Sequence, residues 1–251
     1  MSDHERFEIE GSARLVVGVP SGRMDIYRLD GAIDVELTGK TQGIDISRTG
    51  STVTVTSSKS SGIVFGSVRL RVGVPAGCEL ELSGASLDVH ADVPLGQVRG
   101  RTASGDVSLL TAESISVRSA SGDLRFDRVN GDVDVVMASG DVFGTEIGGA
   151  LNVSVASGDV RIDAVLGDIG VKSASGDVWI DRATGREVRV KSMSGTVGIG
   201  VAAGTRVNLD LSTLSGDIHR PSGSGESVEP TRTMDLSIHT VSGDIRLSRA
   251  D

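Results

Sequence analysis

From Ser104 onward, apolar and polar positions alternate in short runs that restart on a nearly fixed beat. One and three places after a recurring aspartate stand Val107/Leu109, Leu124/Phe126, Val160/Ile162 and Val178/Ile180. Six and four places before the next recurring serine stand Ile115/Val117, Val133/Val135, Leu151/Val153, Ile169/Val171 and Val188/Val190. A third apolar position lies eight places after the serine, at Ala112, Val129, Ile147, Val165 and Ala183. Period-two alternation is the mark of a strand with one buried face, and the Val and Ile filling it suit a pleated surface. The residue before each serine (Ala103, Ala120, Ala138, Ala156, Ala174, Met193, Leu214, Val241) is also apolar and joins the expected burial pattern.

The punctuation between runs is Ser-Gly-Asp, at Ser104, Ser121, Ser139, Ser157, Ser175, Ser215 and Ser242, with Ser194-Gly195-Thr196 as the variant copy. The serine steps are 17, 18, 18, 18, 19, 21 and 27 residues, and from Gly122 to Gly185 a glycine falls every nine. Each repeat therefore reads as two short strands and two tight corners, with glycine supplying positive φ at the corners and Ser and Asp capping their own turns. One strand pair cannot bury its inner face, whereas stacked coils join their faces into a core. The expectation is an all-β fold: a single elongated, flattened β-solenoid with two short strands per coil and rungs about 4.8 Å apart. A β-sandwich is the rival, but a constant nine-residue corner beat favours coils of constant circumference.

Along the chain, residues 1–6 are polar and read as a disordered tail. Residues 7–97 read as less regular β coils in the N-terminal part of the same stack, with a separate cap as the alternative. Residues 98–251 are the regular array. Exposed loops are expected at 57–62 and at about 220–232, the latter accounting for the 27-residue step. Arg246, Arg249 and Asp251 put charge near the C-terminal end, where an open edge invites strand pairing.

Composition narrows the functional classes. Net charge is −9 with aromatics at 2%, so the core is aliphatic and non-specific nucleic-acid or anionic-membrane binding is disfavoured. Cys78 is the one cysteine, which forbids an internal disulfide and reads as a small buried strand residue. No stretch approaches a membrane span and the start has no apolar leader, so a cytoplasmic protein without membrane insertion is the expectation.

The phrase Val72-Gly73-Val74-Pro75-Ala76-Gly77, echoed at Val17-Gly18-Val19-Pro20-Ser21-Gly22 and Ile199-Gly200-Val201-Ala202-Ala203-Gly204, is followed by reiterated Ala-Ser-Gly-Asp-Val. From about Leu70 to Leu247 this resembles the bacterial putative-adhesin family of β-strand-repeat domains of unknown function. The resemblance implies a β-repeat fold and a cell-surface adhesive role; it implies no catalytic residues.

Two rows of side chains are candidate sites. Stacking would align Asp106, Asp123, Asp141, Asp159 and Asp177 on one edge and Asp132 and Asp168 on the other. A hard cation such as Ca²⁺ would relieve their repulsion, but calcium-binding β-rolls use several glycines and converging carbonyls per turn, and here one Gly-Asp pair recurs. Asp123, Asp141, Asp159 and Asp177 are thus weak metal candidates beside a turn-capping role. Two places after the Asp, Arg125, Phe143, Arg161 and Trp179 would form an outward cation–aromatic ladder, with Arg161 between two rings. Its bland reading is a self-satisfied surface; its functional reading is a protein or glycan contact. His4, His90, His219 and His239 lack metal-ligand spacing, and turn chemistry accounts for the Ser and Asp. The expectation is a non-enzymatic structural or interaction protein, without cofactor, that binds a protein partner or itself. The alternative is a surface adhesin binding glycan or protein.

Overall fold

A computed structural model of the chain describes residues 3–57, 67–220 and 232–250, and these residues form strands, turns and no helix. They fall into two compact units, Met1–Asp127 and Arg128–Asp251. Both are all-β stacks of solenoid type. The boundary drawn from sequence at 97/98 lies inside one strand, Cys78–Ser104.

In the second unit the 18-residue beat becomes a parallel register. Val133–Ser139, Leu151–Ser157, Ile169–Ser175 and Glu187–Ser194 form one sheet, with Val133 beside Leu151, Leu151 beside Ile169 and Ile169 beside Val188. Val142–Ile147, Val160–Val165, Val178–Ala183 and Val197–Ala202 form the other. Because every coil has nearly the same length, like residues stand over like residues. The inward positions close into a core in which Val133, Leu151, Val160, Val178 and Val188 are fully buried. The third apolar position is buried as well: Ile147, Val165 and Ala183 have no exposure.

The two corners of each coil use glycine for different reasons. Gly176, in a Ser-Gly-Asp corner, has φ +124°, and a Cβ there would collide with the Gly158 carbonyl of the preceding coil. Gly185, on the nine-residue beat, does not have positive φ; a Cβ would instead strike Gly167. Close coil-to-coil approach therefore demands glycine at both corners and positive φ at only one, where the sequence had suggested positive φ for both.

The spatial order of coils departs from sequence order at the end of this unit. Glu187–Ser194 pairs with Arg232–Ser242, and Arg232–Ser242 pairs with Thr205–Ser215. Likewise Val197–Ala202 pairs with Ile245–Ala250, which pairs with Ile218–His219. The last coil of the chain is inserted one level in, and the coil 205–219 is displaced to the edge. The 27-residue step before Ser242 thus spans an out-and-back excursion, of which 221–231 lie outside the described residues. Arg246 is covered on its outer side by His219 and does not guard the edge, whereas Ile218–His219 stops short of Arg249, which has no outer strand neighbour among the described residues; Asp251 lies outside the described residues.

The first unit repeats the same manoeuvre. Arg14–Gly18 lies between Thr52–Ser57 and Cys78–Ser104, and Ser21–Arg28 between Val68–Val74 and Cys78–Ser104, all parallel. Cys78–Ser104 in turn pairs in parallel with Val107–Ser119. Three antiparallel pairings finish the unit: Asp3–Glu8 with Ala32–Gly39, Ala32–Gly39 with Val68–Val74, and Ile44–Thr49 with Thr52–Ser57. The expected disordered tail 1–6 is therefore corrected for Asp3–Arg6, which are strand residues. Their backbone pairs with Asp34–Leu37 while their side chains stay exposed, and this is why their polarity gave no strand signal. Ser57 ends a strand, and 58–62 lie outside the described residues. Cys78 is buried at 1% exposure, and burial pushes its thiol up to about 12.

One burial expectation is overturned. The apolar residue before each serine faces solvent rather than core: Met193, Val241 and Leu214 are 61%, 48% and 84% exposed, and Ala138, Ala156 and Ala174 are exposed too. Period-two alternation simply continues to the end of each strand, which turns that residue outward. The last inward residue sits two places before the serine, at Met137, Val155, Ser173, Ser192 and Thr240. In the last three the inward position is hydroxylic. Ser192 donates to Ser194 O and Thr240 to Gly243 O, while Ser173 Oγ is buried without a partner among the described residues.

Candidate functional site

The aspartate columns act between coils. Asp159 N–H donates to Asp141 Oδ1 at 2.8 Å, Asp177 N–H to Asp159 Oδ1 at 2.9 Å, and Thr196 N–H to Asp177 Oδ1 at 2.8 Å. In the first unit Asp106 N–H donates to Asp88 and Asp123 N–H to Asp106 Oδ1. On the opposite corner Asp132 accepts from Ala150 N–H, and Asp168 from Arg186 and Glu187 N–H. Each carboxylate caps the next coil's turn, not its own as the sequence suggested. Asp159 uses its second oxygen as well, holding Arg161 through Oδ2 at 2.8 Å, and Arg125 binds Asp123 Oδ2 at the same distance. Carboxylate oxygens held by backbone N–H groups and guanidinium groups are poorly placed to converge on a cation. Among the described residues no group of three or more His, Cys, Asp or Glu side chains is arranged to hold a metal ion.

The outward row keeps its register. Phe143 stands beside Arg161, Arg161 beside Trp179, and Trp179 beside Gly198. Arg125 occupies the corresponding place in the first unit and is bound to Asp123. Trp179 is half-buried: its indole lies across Gly198, where a Cβ would collide with the ring. A cleft of about 360 Å³ lined by Arg161, Asp163, Trp179 and Asp181 opens beside the indole. A second, of about 440 Å³, is lined by Trp179, Gly198, Gly200, Arg246 and Ser248.

Sequence reasoning missed two features. In the first unit the Arg71 guanidinium sits 5.1 Å from the Tyr27 ring centre, and Tyr27 Oη donates to Asp34 Oδ2 at 3.1 Å. Asp34 also bonds His4 at 2.8 Å. Burial, then the bond to Asp34, raises the Tyr27 hydroxyl above its ordinary value. No motif marks the group: the parallel pairing of Ser21–Arg28 with Val68–Val74 brings Arg71 to Tyr27, and the antiparallel pairings of Ala32–Gly39 bring Asp34 beside His4 and Arg71's strand. The second feature is the exposed ridge of Met193, Val241 and Leu214. These stand on consecutive levels, as the in-register serines Ser194, Ser242 and Ser215 show. In each coil the ridge and the outward row lie five residues apart, on either side of the Ser-Gly-Asp corner. The signal for the ridge was present in the apolar residues before serine, but it was assigned to the core.

The parallel coils run from Arg14 to Ala250 and the inter-coil aspartates from Asp88 to Asp244, and one family model, that of Toastrack DUF4097, matches residues 21–249. The chain belongs to the Toastrack DUF4097 family. This Toastrack chain is similar to a solved structure described as a putative adhesin from Bacteroides fragilis, at 13% identity and TM-score 0.43, covering 98% of this chain and 97% of that one. It is similar to a putative adhesin from Parabacteroides distasonis at 12% identity and TM-score 0.43, over 98% and 97% of the two chains. It is also similar to a putative lipid binding protein from Parabacteroides distasonis at 14% identity and TM-score 0.43, over 96% of each chain. No curated protein matches it. Among the described residues of this Toastrack chain no helix is long and apolar enough to cross a membrane.

Proposed function

We propose that the chain is a non-enzymatic interaction protein that presents the Ser-Gly-Asp edge of its stacked coils to a protein partner. The observation that carries this reading is the ridge of Met193, Val241 and Leu214. Large apolar side chains at such exposure on adjacent levels of a rigid sheet are a common feature of contact surfaces. The row Phe143, Arg161 and Trp179 lies across the same corner and supplies the aromatic and guanidinium groups that dominate binding energy in many interfaces. Coil-to-coil hydrogen bonds occupy the aspartates, so the surface is pre-organised and loses little entropy on binding. Calcium has no part in this reading.

The test is affinity capture with the purified chain, followed by direct binding of each captured protein to wild type and to Met193→Ser/Leu214→Ser. Both substituted side chains are exposed, so folding is expected to be retained and binding to fall at least about tenfold. Unchanged affinity in the double variant overturns the ridge as the contact, and Trp179→Ala then tests the aromatic row. Cell fractionation distinguishes the cytoplasmic location that accompanies this reading from a surface one, in which the partner is a glycan or protein outside the cell.

A further inference from the structure

The strand Thr205–Ser215 is eleven residues long and, among the described residues, its ladder runs on one side only, with Arg232–Ser242. In the first unit the edge strand Asp3–Glu8 carries Asp3, Glu5, Arg6 and Glu8, the kind of charge that discourages pairing. Thr205–Ser215 is less protected. Leu209 is 43% exposed, and Val207 and Leu211 are only half-buried.

The direction of its free backbone groups follows from the ladder. Asp235 donates its N–H to Arg186 O on the inner side, and Asn208 stands level with Asp235. Even-numbered residues from 206 to 210 therefore turn their N–H and C=O toward Arg232–Ser242. Those of Thr205, Val207, Leu209 and Leu211 point at the open edge.

The side chains along this edge are complementary to their own two-fold image. Reversing the strand about Asn208 sets Arg206 opposite Asp210 and Val207 opposite Leu209. Arg206 has no ion-pair partner among the described residues, and Asp210 is 72% exposed while touching His239 at 3.4 Å. In that arrangement Val207 and Leu209 form hydrogen-bonded pairs that meet apolar to apolar, flanked by Thr205 opposite Leu211. We propose that Thr205–Ser215 pairs antiparallel with the same strand of a second copy of this chain, about a two-fold axis at Asn208. A two-fold uses the edge up on both copies, so the assembly stops at a dimer. The inference rests on reading the chain as an interaction protein, but the stretch that the two-fold at Asn208 pairs, Thr205–Leu211, stops short of the ridge residue Leu214 and includes none of the aromatic row.

Light scattering after size exclusion, over a hundredfold dilution series, should show a dimer dissociating to monomer. Arg206→Asp faces Asp210 of the other copy and should weaken the dimer at least about tenfold, because like charges are then opposed. Asn208 on the axis belongs to a non-hydrogen-bonded pair, whose Cα separation of about 4.5 Å suits a disulfide. Asn208→Cys should therefore yield a covalent dimer on mild oxidation, while Asn152→Cys, on the outer face of an interior coil, should not. A monomer at every concentration, a dimer indifferent to Arg206→Asp, or no cross-link through Asn208→Cys overturns the proposal. Each of those results leaves the Met193→Ser/Leu214→Ser test of partner binding intact.

Discussion

Asp159 Oδ1 accepts the backbone N–H of Asp177, 2.9 Å away and one coil further along the stack. Asp159 Oδ2 meanwhile holds Arg161 at 2.8 Å. One side chain thus ties a corner to its neighbour and orients an arginine on the outer face. This bond repeats at Asp141 and Asp177, which makes the acidic column a structural seam.

Removing one link of that seam should cost stability in proportion to the acceptor lost. Asp159→Ala leaves the Asp177 N–H without its partner and should destabilise by about 1–2 kcal/mol. Asp159→Asn keeps a carbonyl oxygen in place and should cost less than half as much. Thermal unfolding of both variants checks the order, and equal losses would show that charge rather than the hydrogen bond matters.

Positive-φ glycines should differ in tolerance according to the space around them. Gly50 has φ +62° with open space around its Cβ position, so Gly50→Ala should cost about 1 kcal/mol. Gly176 has φ +124° and faces the Gly158 carbonyl. Gly176→Ala combines strain with collision and should cost about 3 kcal/mol or more. Denaturant unfolding curves give both values directly.

Ser173 occupies an inward position that Val155 fills in the preceding coil, and its hydroxyl is buried without a partner among the described residues. Ser173→Ala should raise stability by about 1 kcal/mol, because an unsatisfied buried hydroxyl is removed. A lower melting temperature would mean that the hydroxyl is satisfied in solution.

Cys78 should be inert to thiol reagents in the native protein and react only on unfolding. Its raised thiol value also sets a pH dependence. The folded state keeps the proton up to about 12 while the unfolded state releases it near 9.0, so the stabilisation is full below the lower value. It is lost as pH climbs through that window, by up to about 4 kcal/mol relative to Cys78→Ala. Parallel stability curves for the two proteins would refute this.

Asp244 gives the opposite sign. The Asp217 N–H, and then Arg246, hold its carboxyl below the ordinary 3.8. Its contribution is complete above that value and disappears as pH falls through the depressed one. The coil 205–219, which this carboxylate ties down through Asp217, should lose amide protection first in acid. Asp244→Asn should lack that step in hydrogen exchange.

The alternation of Val and Ile, the serine steps near 18 residues and the nine-residue glycine beat were enough to determine an all-β parallel stack. A side chain's face follows from strand parity, and equal coil lengths leave one register in which apolar residues meet. For that reason the buried Ala112, Val129, Ile147, Val165 and Ala183, and the register of Phe143, Arg161 and Trp179, were legible in the residues. Parity holds only while the strand continues. Met193, Val241 and Leu214 still lie within their strands, one place after an inward residue, so unbroken alternation already turns them to solvent although their apolarity alone suggested the core. Coil order was illegible for another reason: Arg232–Ser242 and Thr205–Ser215 have similar patterns, and either could stack on Glu187–Ser194. Only the tertiary structure decides that the last coil inserts and leaves Thr205–Ser215 at the edge, because the choice rests on whole faces packing together rather than on any local preference.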